Sequence, residues 1–212
     1  MRAGQTVIKN ASVLLLGRLF SMALSVVYVG VLARYIHAEG MGILATATSL
    51  VSITSLVITF GLNDLAVRDI AADRTRASTY VPTIFVIRGG LTLVFIALLF
   101  FIVQWTDYPT ETLLVIFIYA FAYSFDAFTD ICLSVFNAYE KMEYSAALQT
   151  GRDIINIGLS LAVIAMKANL MVIVGVSALA NLLKLVISLG ILRWKFLRPA
   201  KSVNPQLGKQ LL

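Results

Sequence analysis

Thr112–Val135 reads TLLVIFIYAFAYSFDAFTDICLSV, a run in which only Asp126 and Asp130 carry charge. A helix needs about 20 apolar residues to cross a hydrocarbon core roughly 30 Å thick, and this run supplies them. In lipid every backbone N–H and C=O has to be bonded within the protein, so the block is predicted to be a helix. Strands of a membrane barrel would show alternating segments of about ten residues, a pattern foreign to this stretch.

Blocks of similar length lie on both sides of it. Ala11–Leu32, Ile43–Leu62, Thr79–Val103, Ala147–Met166 and Leu170–Leu192 bring the expectation to about six spans joined by short polar connections. The block at Ala147 is the least regular, because Arg152 and Asp153 fall in its first turns. Composition points the same way. Of 212 residues, 59% are hydrophobic and 13% are charged, against roughly 25% charged in a soluble domain, and the mean hydropathy is +0.89. The fold class is therefore an all-α integral membrane protein, with residues 1–192 as a helical lobe. The start, Met1–Lys9, is basic enough for a signal peptide. The apolar stretch after it carries Arg18 and runs to Leu32 without a small-residue cleavage site, which makes it a retained first span.

With the N-terminus inside, the basic residues of the connections gather on the inner side, and only Arg34 and Lys167 fall on the outer one. This bias predicts that both termini are cytoplasmic. Trp105 and Tyr108 suit the outer interface and Trp194 the inner one. The net charge of +6 is then a topology signal, and no nucleic-acid partner is expected. Asn63–Ser78 mixes acids and bases on a helix-compatible stretch suited to the cytoplasmic interface. Residues 193–212 form a basic tail broken by Pro199 and Pro205, expected as a linker. A single cysteine, Cys132, and a single histidine, His37, exclude a disulfide framework and a zinc cluster. Enzyme motifs are lacking, and neither cofactor nor metal is expected.

The polar residues within the spans recur at helical spacing. The sets are Arg18, Ser21, Ser25 and Tyr28; Thr48, Ser52, Ser55 and Thr59; Tyr119, Tyr123, Asp126, Asp130 and Asn137; Gln149, Asp153, Asn156 and Ser160; and Ser177, Asn181, Lys184 and Ser188. Each set shares one helix face. The Thr48 set is read as ordinary packing, since hydroxyls often join membrane helices. Charges in a bilayer are costly and face a bundle interior or a wet cavity, so the stripes together predict a hydrated cavity and transport. Arg18 and Lys184 each have two readings, cavity-facing or snorkelling to the interface. Arg88 serves a cavity or pairs with an acid. Asp126 and Asp130 form a proton or cation site, or pair structurally with Arg18 or Arg88.

Four stretches carry a family resemblance. Lys9-Asn10-Ala11-Ser12 opens a helix that contains Gly17-Arg18. Leu32-Ala33-Arg34-Tyr35-Ile36-His37-Ala38-Glu39-Gly40-Met41-Gly42 forms the first turn. Phe60-Gly61-Leu62 precedes Val67-Arg68-Asp69-Ile70-Ala71, and Asn137-Ala138-Tyr139-Glu140-Lys141-Met142-Glu143-Tyr144 follows the fourth block. Together they resemble the polysaccharide and lipid-linked oligosaccharide (O-antigen) flippases of the multidrug/oligosaccharidyl-lipid/polysaccharide exporter superfamily. His37 departs from the pattern, standing where that family usually has glycine. The resemblance implies one lobe of a two-lobed, MATE-like transporter, an N-terminal half whose partner is a second lobe missing from this chain, or another copy of it. It also implies a polyprenyl-pyrophosphate-linked glycan as substrate. Arg18, Arg88 and Lys184 would hold the headgroup, Ser25, Tyr28, Asn156 and Asn181 the sugars, and Asp126 and Asp130 would couple a cation or brace the arginines. The competing expectations are a drug or cation antiporter of the same superfamily and a half-length partner that moves nothing.

Overall fold

The computed structural model describes residues 2–59, 62–74 and 77–196. Among these residues every regular element is a helix, with no strand. Helix α1 (Arg2–Thr54) is broken at His37; α2 (Leu56–Thr59) and α3 (Leu62–Ala72) are short. The others are α4 (Ala77–Gln104), α5 (Thr110–Ala138), α6 (Met142–Ala165) and α7 (Leu170–Ile191).

The expected blocks at Thr79, Thr112, Ala147 and Leu170 correspond to α4, α5, α6 and α7, each block lying within three residues of its helix at the C-terminal end. Length and hydropathy single out four helical stretches able to cross a membrane: Leu15–Ala72, Ala77–Gln104, Thr110–Ala138 and Leu170–Phe196. The count differs from about six for two reasons. The blocks from Ala11 and Ile43 lie on one broken helix, and α6 is long enough at 24 residues but is diluted by Gln149, Arg152, Asp153 and Asn156.

The breaks have local causes. The α5–α6 and α6–α7 turns place Glu140 (φ 59°) and Lys167 (φ 57°) in the left-handed region. Lys141 N–H reaches back to the Phe136 carbonyl at 2.8 Å, and Ala168 N–H to Val163 at 3.0 Å. Those bonds close the last turns in the Schellman manner. Asn169 then caps α7, its side chain accepting from Val172 N–H at 3.2 Å. At His37 the backbone sits at φ 57°, ψ −172°, a region that essentially only glycine occupies without strain. Tyr35, beside the break, donates its hydroxyl to the Ala168 carbonyl at 2.8 Å, tying the kink to the α6–α7 turn.

Helix α5 is the hub and packs against α1, α3, α4, α6 and α7. Two apolar cores lie along it. One joins Ala66 and Ile70 of α3 and Tyr80 and Ile84 of α4 to Ile131, Val135 and Phe136. The other joins Val51, Phe95 and Leu99 to Val115, Ile116, Ala120 and Val174. The outside is apolar too: Val26, Val27, Leu93, Phe101 and Trp105 are exposed, as lipid-facing side chains should be. The bundle does not end at Arg193. A π-helical turn, Leu192–Phe196, extends α7 and sets the Phe196 ring 5.1 Å from Phe136 and 5.2 Å from Tyr139. Residues 197–212 of the expected tail lie outside the described residues.

Replacing His37 with glycine is expected to stabilise the protein. Relief of a left-handed backbone is worth about 1–3 kcal/mol, offset by roughly 0.5–1 kcal/mol for the freer unfolded glycine. Thermal unfolding in detergent checks this. Gly40→Ala should act oppositely, because a Cβ there would come within 2.7 Å of Ile36 Cβ.

Candidate functional site

Between the two cores runs a polar layer. On α4, Arg88 falls between Ile84 of one core and Phe95 of the other. Asp126 and Asp130 hold the matching level on α5, and Asn181 and Lys184 hold it on α7. The stripes predicted from spacing therefore meet at mid-bundle, where apolar packing is interrupted.

Part of this layer opens into a cavity of about 480 Å³. The first arm of α1 supplies Ser25 and Tyr28, and the second arm supplies Thr48. Tyr119, Tyr123 and Asp126 come from α5, Arg152, Asp153 and Asn156 from α6, and Ser177 and Asn181 from α7. Its floor is a continuous network. Lys184 Nζ donates to Asp126 Oδ1 and to Gln149 Oε1, both at 2.7 Å. Gln149 approaches Asp153 at 3.4 Å, and Arg152 Nη1 donates to the same Asp153 oxygen at 3.1 Å. Arg152 Nε donates to Asn181 Oδ1 at 2.7 Å, and Asn181 returns to α5 through the Ala122 carbonyl at 2.8 Å. Ser177 donates to Asn156 at 3.0 Å. Three helices are thus cross-linked by charge-assisted bonds, the stronger kind of hydrogen bond.

A second network lies outside the cavity. Arg88 is fully buried; it donates to the Ala127 carbonyl and, at 2.9 Å, to Asn63 Oδ1. The Asn63 side chain also hydrogen-bonds Asp130, whose charge attracts Arg88. Arg88 Nε finds no partner among the described residues.

The predicted site residues therefore divide. Ser25, Tyr28, Asp126, Asn156 and Asn181 line the cavity. Lys184 lies beneath it, paired with Asp126. Arg88 and Asp130 are held in the second network. Arg18 lines a separate groove of about 970 Å³, mostly apolar, between α1 and α6, which shares Ser25 and Asp153 with the cavity. The arginine that does reach the cavity is Arg152, which the sequence places among inner-edge charges. The signal was available: Arg152 follows Gln149 by three residues and so shares its face. Asn63, in contrast, reaches Arg88 through tertiary packing that no local spacing announces.

A helical, lipid-faced bundle with a polar cavity at mid-depth defines a multi-pass membrane protein. The chain belongs to the polysaccharide biosynthesis protein family, whose model matches residues 7–212. No curated protein and no solved structure gives a match.

Arg88→Ala is expected to cost about 1–3 kcal/mol, because it leaves Asn63 Oδ1 and the Ala127 carbonyl without their buried donor. Lysine should not rescue it, lacking the planar fork that spans both acceptors. The exposed Arg18→Ala should stay within about 0.5 kcal/mol. Size-exclusion profiles and unfolding midpoints in detergent separate these outcomes.

Proposed function

We propose that this protein moves lipid-linked oligosaccharide or polysaccharide precursors across the cytoplasmic membrane by alternating access, as a flippase and not as an enzyme. The observation that carries this reading is the polar cavity built from α1, α5, α6 and α7 within a bundle of apolar exterior. A glycan headgroup needs such a path, while its polyprenyl tail can remain in the bilayer. Family membership supports the glycan over other cargoes.

The cavity chemistry suits sugars. Arg152 is matched by Asp153 and Lys184 by Asp126, so little net charge is left over. Tyr28, Tyr119 and Tyr123 offer flat faces with a polar tip, and Asn156 and Asn181 offer amides to hydroxyls. The pyrophosphate would be met at the mouth by Arg18, in the apolar groove next to the cavity. Arg88 and Lys184 brace the bundle in this reading. The lobe pairs with a second lobe or another copy to close the path, and both termini face the cytoplasm.

Tyr119 and Tyr123 beside Asp126 favour a second reading, export of a cationic drug, but Lys184 already answers Asp126 and Arg152 answers Asp153, the two carboxylates of the cavity lining. A flipping assay on the full native gene product in proteoliposomes, with a fluorescent lipid-linked oligosaccharide, decides between them. Asn156→Ala and Tyr119→Ala are each expected to slow flipping roughly tenfold, the effect of about 1.4 kcal/mol, in protein that remains folded. Unchanged flipping together with lost drug export would establish the antiporter. Absence of flipping until a larger membrane protein is added would establish a non-transporting partner.

A further inference from the structure

Asp126 is the carboxylate best placed to take a coupling cation. Its side chain is 40% exposed, and it lines the cavity. Yet the position in front of it is already filled from within the chain. Lys184 comes up from α7, only 3% exposed, and its ammonium nitrogen lies 2.7 Å from Asp126 Oδ1 and 2.7 Å from Gln149 Oε1. A carboxylate oxygen and an amide oxygen, brought from α5 and α6, form the kind of oxygen set that receives a monovalent cation. The ammonium group is close in size to a potassium ion and bears the same charge. Ser188 donates to the Lys184 carbonyl at 2.7 Å, bonding the next turn of α7 to this residue. The neighbouring Asp130 is likewise answered internally, by Arg88 through Asn63 and by the charge of Lys184 itself.

We propose that Lys184 is a tethered cation: its ammonium occupies, between Asp126 and Gln149, the place a free monovalent cation would take, so this carboxylate binds no metal ion during transport. This deepens the transport reading of the cavity and rests on it, but its test reads cation occupancy and not flipping. Failure of one therefore leaves the other standing.

Truncating Lys184 leaves a hole, two oxygen ligands and an uncompensated carboxylate. The full native gene product in detergent is unfolded thermally in potassium chloride, methylammonium chloride and choline chloride at equal ionic strength. Wild-type protein should show one midpoint in all three. Lys184→Ala should fall by roughly 5–10 °C in choline and recover at least half of that in potassium or methylammonium, which fit the hole where choline does not. Lys184→Met, which fills the hole without charge, should not respond. A Lys184→Ala protein equally unstable in all three salts would overturn the proposal. Should that variant fail to fold in any salt, radioactive rubidium binding to the wild type and to Asp126→Asn decides: equal, background binding is expected. Rubidium held by the wild type and lost in Asp126→Asn would show that the site takes a free cation after all.

Discussion

Two carboxylates on the central helix set the terms for everything around them. A single charge at mid-bilayer costs about 2.5–3.5 kcal/mol on insertion scales, and Asp126 and Asp130 lie one turn apart on α5. Neither can be left to lipid. Asp126 is paired with Lys184 of α7, and Asp130 is hydrogen-bonded by Asn63, which in turn accepts from Arg88 of α4. Because α5 touches every other long helix, these pairings fix the rotation of α4 and α7 about it. A helix turned by one residue would swing its cation some 100° away. Apolar packing alone tolerates such slips far better, so the ionic layer supplies the register that the two cores then fill.

That arrangement inverts the logic of a soluble protein. The exterior around Val26, Leu93 and Phe101 is as apolar as either core, and burial against other apolar side chains therefore gains little over burial in lipid. Specificity has to come from groups that lipid cannot satisfy. The chain Lys184, Gln149, Asp153, Arg152, Asn181 and the Ala122 carbonyl performs this role for α5, α6 and α7. Asp153, Arg152 and Asn181 also line the cavity, so part of the network that holds the helices together gives the cavity its polarity.

Much of this was legible in the sequence and some was not, for physical reasons. Block length placed α4, α5 and α7 to within three residues at either end, since the bilayer imposes a length that composition reports directly. Helical periodicity found the faces, and Ser25, Tyr28, Asp126, Asn156 and Asn181 do share one cavity. Periodicity gives a direction around one helix and says nothing of what stands opposite. The partners of Arg88 were hidden for that reason: Asn63 belongs to a short helix 25 residues away in sequence. Arg152 was obscured by its place near the start of a block, where a charge also suits a membrane edge. The glycine expected at position 37 was legible as a departure. Its cost became apparent only with the backbone at φ 57°.

The cavity walls are unequal in how they are held. On one side α5, α6 and α7 are bonded side chain to side chain through the network above. On the other, the first arm of α1 meets α6 by close approach: a Cβ at Gly17 would lie 3.2 Å from Thr150 Oγ1 and 3.8 Å from Ala146 Cβ. Small-residue contacts of this kind draw helices together without directional bonds, and sliding along them breaks nothing that must be re-formed. The break at His37 separates this arm from the one carrying Thr48, and Tyr35 pins the break to the α6–α7 turn. The α1 side of the cavity is therefore held by close packing and the α5, α6 and α7 side by directional bonds, with the tied break at His37 joining the two arms of α1 between them.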